Sequence, residues 1–305
     1  MRLLVTGATG LLGLNLSLRA AARGFEVTGL SHSRQLAGMP FNLQQVDLLD
    51  TDRSLSMITA ARPEAIIHCA AVADINAAEV NPEMTTALNR DVPARLAEAS
   101  SGWGIPLIYI SSDAVFDGQV GGYVESDLTN PLSLYARTKL AGEQAVMAAN
   151  PQALIARVVF FGWSLSGKRS LSEFFFNNLK NGIPIKGFTD TLFCPLYVEH
   201  LADLLLGSLE GDLSGVYHLT SPQSMSKYEF GVRIARRFGF DPNLIEPIQA
   251  AETDRGVVRS LNLTLRSDKA QAALWRPLPS VDEGIEAFYQ RWQEGYPEYL
   301  QSLAV

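Results

Sequence analysis

Tyr135 and Lys139 stand four residues apart in a segment of helical spacing that opens after Asn130-Pro131, so both side chains should fall on one helix face. That pairing has a chemical use. A free phenol, with a pKa of about 10, is a poor proton donor or acceptor at neutral pH. A cationic amine close by favours the phenolate and brings that pKa toward a working range. Upstream, the apolar run Leu107-Ile108-Tyr109-Ile110 fits a buried strand and ends in Ser111-Ser112-Asp113. The Ser112 hydroxyl could hold a carbonyl oxygen beside the phenol. Tyr and Lys at this spacing are common on solvated helices and alone carry no function. Here they follow a strand, in the strand–loop–helix order that a parallel sheet with reactive residues at strand carboxyl ends requires.

The start of the chain supplies what such a site needs. Arg2 to Thr6 is a short apolar strand, followed by Gly7-Ala8-Thr9-Gly10-Leu11-Leu12-Gly13 and a helix-like stretch through Arg23. Glycines at this spacing allow a tight turn, close approach of a pyrophosphate and packing of the helix on the sheet. The helix N-terminus then offers free amides and the positive end of its dipole to the phosphates. Gly7, Thr9, Gly10, Leu11, Leu12 and Gly13 are therefore the expected phosphate loop.

The next strand, Phe25 to Leu30, decides the cofactor. A carboxylate after it would bind the 2′-hydroxyl of NAD; the chain has Ser31-His32-Ser33-Arg34 instead. Hydroxyls from Ser31 and Ser33 and the Arg34 guanidinium suit a 2′-phosphate, which favours NADP(H) with NAD(H) as the alternative. A third strand over Phe41 to Val46 ends at Asp47-Leu48, where an adenine could be met. A helix over Thr51 to Arg62 is expected with Thr51 as its N-cap. Ala65 to His68 is a fourth strand, ending in Cys69-Ala70-Ala71, small residues that let a cofactor pass close to the backbone. His68 reads as a satisfied core histidine. Val72 to Glu79 reads as a loop, and Pro82 begins a long helix through Asn89 toward Ser100. An Asn in such a helix is ordinarily a surface residue, although its place before the central strand allows a backbone-linking role.

Composition narrows the classes. The chain has 305 residues, 47% hydrophobic and 19% charged, with a net charge of −7. That is an ordinary globular balance with no long basic run, which argues against nucleic acid or an anionic membrane as the main partner. The two cysteines, Cys69 and Cys194, form neither a disulfide framework nor a metal-type pair, and the four histidines are scattered, so no metal site is expected. The N-terminus enters a strand at once, unlike a signal peptide, and a cytoplasmic protein is expected.

After Asn150-Pro151, Ala153 to Phe161 reads as a sixth strand. Alternating strands and helices to this point argue for an α/β fold, a Rossmann-type doubly wound parallel sheet. The pattern then changes to an aromatic helix over Leu171 to Lys180, in which Phe174-Phe175-Phe176 reads as core or subunit contact. Phe193 to Val198 is extended and leads into a helix from Glu199 to Leu209. Gly215 to Leu219 is a short strand, and Ser226 with Glu229 forms a capping box for a helix to Phe238. The expected division is a nucleotide-binding domain over 1–160, to which 197–220 returns, and a smaller α/β substrate-binding lobe over 161–196 and 221–305.

Together, GATGLLG at 7–13, SSDAVFDG at 111–118 and NPLSLYARTKLAGE at 130–143 resemble the extended short-chain dehydrogenase/reductase superfamily, and within it the dTDP-4-dehydrorhamnose reductase-like family. FCPLYVEHLAD at 193–203 is similar to a later motif of that family. The resemblance implies Ser112, Tyr135 and Lys139 as the catalytic set, with Tyr135 the acid and Lys139 the ribose ligand that tunes it. It implies substrate contacts from Ser112, Asp113, Ala114 and Phe160, and reduction at C4 of a nucleotide-linked 4-keto-6-deoxy sugar. The chain departs from the family at Ala114, where a Tyr is usual, and in the strand ending at Phe161, which lacks a Trp many members place beside the sugar. A homodimer is expected as the assembly. Two other readings compete. A nucleotide-sugar epimerase or dehydratase would carry an acidic residue after the second strand or a Thr-Asp-Glu triplet, and this chain has Ser112-Asp113-Ala114. A non-catalytic, NADP-binding regulatory subunit, resembling the beta subunit of methionine adenosyltransferase, could keep the same residues for binding.

Overall fold

The strands Ala65–His68, Leu107–Ser112 and Leu154–Val158 are buried at every residue. A strand with no solvent face must be covered on both sides, and parallel strands linked by helices achieve that. The computed structural model describes residues 1–252 and 260–304. Its centre is a seven-stranded parallel sheet. In chain order its first half is β1 (Arg2–Thr6), α1 (Leu11–Ala22), β2 (Glu26–Ser31), β3 (Asn42–Gln45), α2 (Thr51–Ala61), β4 (Ala65–His68), α3 (Ile75–Val80), α4 (Pro82–Thr86), α5 (Val92–Trp103) and β5 (Leu107–Ser112). There follow α6 (Leu134–Ala149), β6 (Leu154–Val158), β7 (Phe160–Phe161), α7 (Leu171–Lys180), β8 (Ile185–Phe188), β9 (Leu192–Phe193), β10 (Leu196–Tyr197), α8 (Val198–Glu210) and β11 (Gly215–Leu219). The sheet order is β11-β6-β5-β4-β1-β2-β3, so the winding order switches between β1 and β4 while every strand stays parallel. Such switch points open a crevice at the strand carboxyl ends.

Alternate residues of each strand serve the two faces. Leu3, Val5, Ile67 and Ile108 pack toward α1 and α8, whereas Leu4, Ile66, Leu107 and Tyr109 join the core that includes Ile58 of α2, Leu96 of α5 and Val146 of α6. β11 pairs with β6, so a segment from beyond residue 200 completes the sheet edge. Beyond β11 come β12 (Met225–Ser226), α9 (Lys227–Phe238), β13 (Ile245–Ile248), α10 (Asp268–Leu274), α11 (Val281–Gln293) and α12 (Tyr296–Ser302). β12 pairs with β9 and β13 with β8, and the rings of Phe175, Phe176, Phe230 and Phe288 fill the space between α7, α9 and α11. Phe174 faces outward instead. Ser226 and Glu229 form the expected capping box. Of the lobe expected over 221–305, residues 253–259 and 305 lie outside the described residues.

Local expectations needed four corrections. The third strand spans only Asn42–Gln45. Thr51 is the first helical residue of α2; the cap is Asp50, whose carboxylate accepts from the Arg53 amide at 3.2 Å. The segment read as a loop over 72–79 contains the start of α3, capped by Asp74. The sixth strand ends at Val158, and Phe160–Phe161 turns away to pair with β10.

Asn89 is not the surface residue such a helix position ordinarily gives; it takes the backbone-linking role instead. It is fully buried in a π-helical turn, Ala87–Asp91, between α4 and α5. Pro93 has no N–H to offer the carbonyl four residues before it, which is that of Asn89. The Tyr109 hydroxyl donates to that carbonyl at 2.9 Å. The Asn89 side chain accepts from the Val72 amide, and donates to the Val72 carbonyl and to Thr138 of α6.

Candidate functional site

A cavity of about 730 Å³ runs along the crevice from the first glycine loop to the N-terminus of α7. Gly7 has φ of +66°, and a Cβ there would stand 2.8 Å from the Ala70 amide nitrogen. The β1 loop and the end of β4 therefore touch backbone to backbone. Gly13 lies against the Gly7 carbonyl, which holds α1 close to the turn. Gly10 caps α1 without a side-chain bond, so the first amides of a twelve-residue helix face the cavity uncovered. This is a cradle shaped for a pyrophosphate. Thr9, Leu11 and Leu12 line it with Gly7, Gly10 and Gly13, and Cys69, Ala70 and Ala71 form the opposite wall.

At the β2 end, Ser31, Ser33 and Arg34 border the cavity, with Asp47 and Leu48 beyond β3. Ser31 is buried and donates its hydroxyl proton to the Arg34 carbonyl at 2.9 Å. It shapes the loop, which leaves His32, Ser33 and Arg34 as the exposed side chains bordering the cavity. Asp47 accepts from the Leu49 amide at 2.9 Å.

Ser112, Asp113, Tyr135, Lys139 and Phe160 line the middle of the same cavity. β5 delivers Ser112 at its carboxyl end, and α6, capped by Ser133 two residues before Tyr135, presents Tyr135 and Lys139 one turn apart. The Ser112 hydroxyl donates to Asp113 at 2.9 Å and accepts from the Ala114 amide at 3.2 Å. Ala114 is outside the cavity wall and acts through that amide, because a short 3-10 turn over Asp113–Val115 carries it past the strand end.

Electrostatics correct one expectation. Burial pushes the Tyr135 phenol up to about 12, with the Ser112 hydroxyl opposing and the Asp113 carboxylate reinforcing the shift. Lys139 does not bring it down; its ammonium donates to the Ile110 carbonyl at 2.6 Å. Burial lowers Lys139 itself to about 7, opposed by Glu143. Asp113 is raised to about 6, again by burial, against its bond from Ser112 and the charge of Lys227. The phenol is therefore protonated at neutral pH, the state a proton donor needs. Burial also raises Cys69 to about 12, which leaves it an inert thiol.

Other residues of the cavity lay outside the sequence reading. Arg169, Ser170 and Leu171 at the start of α7, Val159 before β7, and Met84 and Leu88 from the α4 side all border it. The signal present in the chain was Ser170 with Glu173, a capping box that places the α7 N-terminus. Among the described residues, no group of three or more His, Cys, Asp or Glu could hold a metal ion, and no helix is long and apolar enough to cross a membrane.

The chain is similar to known proteins over most of its length. The RmlD substrate binding domain family matches residues 1–294. The dTDP-4-dehydrorhamnose reductase of Mycobacterium tuberculosis is 32% identical over 284 residues, covering 91% of this chain and 88% of that one. The methionine adenosyltransferase 2 subunit beta of Xenopus tropicalis is 34% identical over 255 residues, covering 81% and 75%. The fold is shared with the crystal structure of dTDP-4-dehydrorhamnose reductase from Bacillus anthracis in complex with NADP, at a TM-score of 0.85 and 24% identity, covering 95% of this chain and 99% of that one. The chain belongs to the RmlD substrate binding domain family, the dTDP-4-dehydrorhamnose reductase-like branch of the extended short-chain dehydrogenase/reductase superfamily of NAD(P)-dependent oxidoreductases.

Proposed function

We propose that this chain is an NADPH-dependent reductase of a nucleotide-linked 4-keto-6-deoxy sugar. The observation that carries the reading is the convergence of Ser112, Tyr135 and Lys139 on the cavity that also holds the glycine cradle. The uncapped start of α1 and the Gly7–Ala70 contact fit a dinucleotide pyrophosphate, and Ser33 and Arg34 fit a 2′-phosphate. When bound, NADPH supplies the hydride that reduces the carbonyl.

The remaining work falls to this chain. Ser112 holds the carbonyl oxygen, and Tyr135 gives its phenolic proton to that oxygen as charge develops there. Lys139 would hold the nicotinamide ribose beside Tyr135. Asp113 fixes the Ser112 hydroxyl. Phe160 and the start of α7 border the side where the sugar enters. The division into a nucleotide domain over 1–160 with 197–220, and a substrate lobe over 161–196 and 221–305, belongs to the same proposal, as do a homodimer and a cytoplasmic setting.

A second reading has support of its own. The likeness to a methionine adenosyltransferase beta subunit, at 34% identity, favours a regulatory subunit that binds NADP without turnover. An epimerase or dehydratase is less well supported, because Ala114 offers no acid and Arg34 stands where a carboxylate would.

The test is loss of NADPH absorbance on adding a dTDP-4-keto-6-deoxy sugar to the purified protein, with NADH in parallel. Turnover that disappears in Tyr135→Phe supports the reductase. Tight NADPH binding with no turnover on any ketosugar favours the regulatory subunit.

A further inference from the structure

Lys139 places its amine where little water reaches it. The residue is 2% exposed, and its ammonium donates to the Ile110 carbonyl at 2.6 Å. The nearest carboxylate along its helix is Glu143, which is already bonded to Arg157 and Ser111. What lies against the ammonium is a ring. The Lys139 nitrogen sits over the face of Tyr109, 4.0 Å from the ring centroid. An aromatic face carries partial negative charge and attracts a cation most strongly where water is excluded.

We propose that Tyr109 is a positioning residue for Lys139: its buried ring, with the Ile110 carbonyl, forms the seat that holds the lysine cationic beside Tyr135. The proposal rests on the reductase reading for the use made of that cation, but not for the seat itself.

The ring is fixed from several sides. Strand alternation turns Tyr109 toward α6, on the face that also carries Ser111. Its hydroxyl donates to the Asn89 carbonyl, the one Pro93 cannot serve. His68 of β4 stacks beside it, with centroids 5.9 Å apart and planes within 16°. Burial lowers His68 to about 3, helped by the Lys139 charge, so the stacked imidazole is neutral and adds no repulsion. Gly142, three residues beyond Lys139, completes the fit: a Cβ there would collide with the Tyr109 hydroxyl and the Asn89 carbonyl. The absence of a side chain at Gly142 thus lets α6 lie close enough for Lys139 to reach the ring face.

Lys139 is faced by Tyr135 and Glu143 from α6, by Tyr109 from β5, and by His68 and Cys69 from the end of β4, with Arg157 of β6 beyond Glu143. Cys69 is a thiol, His68 is neutral and Glu143 is shared with Arg157. The ring is therefore the contact whose electronic character can be changed while the charges stay as they are.

The test labels the full chain with carbon-13 at the lysine Cε and follows the Lys139 resonance, identified by its loss in Lys139→Met, as pH is raised. Tyr109→Phe keeps the ring, and Tyr109→pentafluorophenylalanine keeps the shape while draining the negative face. The expected result is a Lys139 midpoint lower by about one pH unit or more in the fluorinated protein than in Tyr109→Phe. The alkaline limb of NADPH turnover should move by the same amount. Equal midpoints in the two variants overturn the proposal. The titration needs no turnover, so an inactive wild-type protein whose Lys139 midpoint still follows the ring would sink the reductase reading alone.

Discussion

Glu143 and Arg157 meet inside the protein, joined by hydrogen bonds of 2.8 and 3.0 Å with both side chains 5% exposed. Glu143 lies on α6 two turns beyond Tyr135, and Arg157 lies on β6. The Ser111 hydroxyl of β5 donates to the same carboxylate at 2.5 Å, and the Arg157 guanidinium lies over the Phe116 ring, 5.1 Å from its centroid. One ion pair thus ties the helix that presents Tyr135 and Lys139 to the two strands beneath it.

Breaking that pair should be expensive. Glu143→Ala leaves a guanidinium buried without its carboxylate, and Arg157→Ala does the converse. Each is expected to lower unfolding stability by about 3–5 kcal/mol, because the uncompensated charge remains out of water. Glu143→Ala combined with Arg157→Ala should lose less than the two single losses added together. Urea unfolding of the four proteins measures this; strict additivity would show that the two side chains act independently.

Tyr135→Phe removes the proposed proton donor and leaves the ring. Turnover of a 4-keto sugar nucleotide should fall by about 10²- to 10⁴-fold, the usual worth of a general acid. NADPH affinity should change little, since the glycine cradle is untouched. Stopped-flow hydride transfer and fluorescence titration with NADPH separate the two effects. Undiminished transfer would remove Tyr135 from the proton-donor role.

Arg34 faces the crevice beyond β2, where a 2′-phosphate would stand. Reversing its charge with Arg34→Glu should weaken NADPH about tenfold or more, near 1.4 kcal/mol. NADH, which lacks that phosphate, should bind as well as before or better. Equal weakening of both cofactors would mean that Arg34 supports the loop rather than selecting the cofactor.

Some of this arrangement was legible in the chain because short-range chemistry sets it. Gly7 to Gly13 must turn and approach another backbone, and Tyr135 and Lys139 must share a helix face whatever packs against them. Asn89 could not be read the same way. Its burial depends on Pro93 withholding an amide, on Tyr109 taking the freed carbonyl and on Val72 taking the side chain, all from different elements. The Asp50–Thr51 choice at the start of α2 turned on one residue, because both types cap well. The effect of Lys139 on Tyr135 failed as an expectation for a long-range reason: burial acts on both groups, and the ammonium turns to Ile110.

Asp113 ties pH to stability in a way that can be checked. Burial raises its carboxyl from an ordinary 3.8 to about 6. Between those values the folded protein holds a proton that the unfolded chain has lost. The sign follows: the contribution of this group to stability is fully present below pH 3.8, and it is lost as pH rises through about 6. At neutral pH the fold therefore carries the cost of a buried charge, which the bond from Ser112 and the charge of Lys227 offset only in part. Asp113→Asn has no charge to bury. It is expected to be more stable than the wild type at pH 7, by up to about 3 kcal/mol, and to lose most of that advantage at pH 4. Urea midpoints for both proteins at the two pH values decide the matter. A difference that does not change with pH would mean that Asp113 ionises in the folded protein as it does in the open chain.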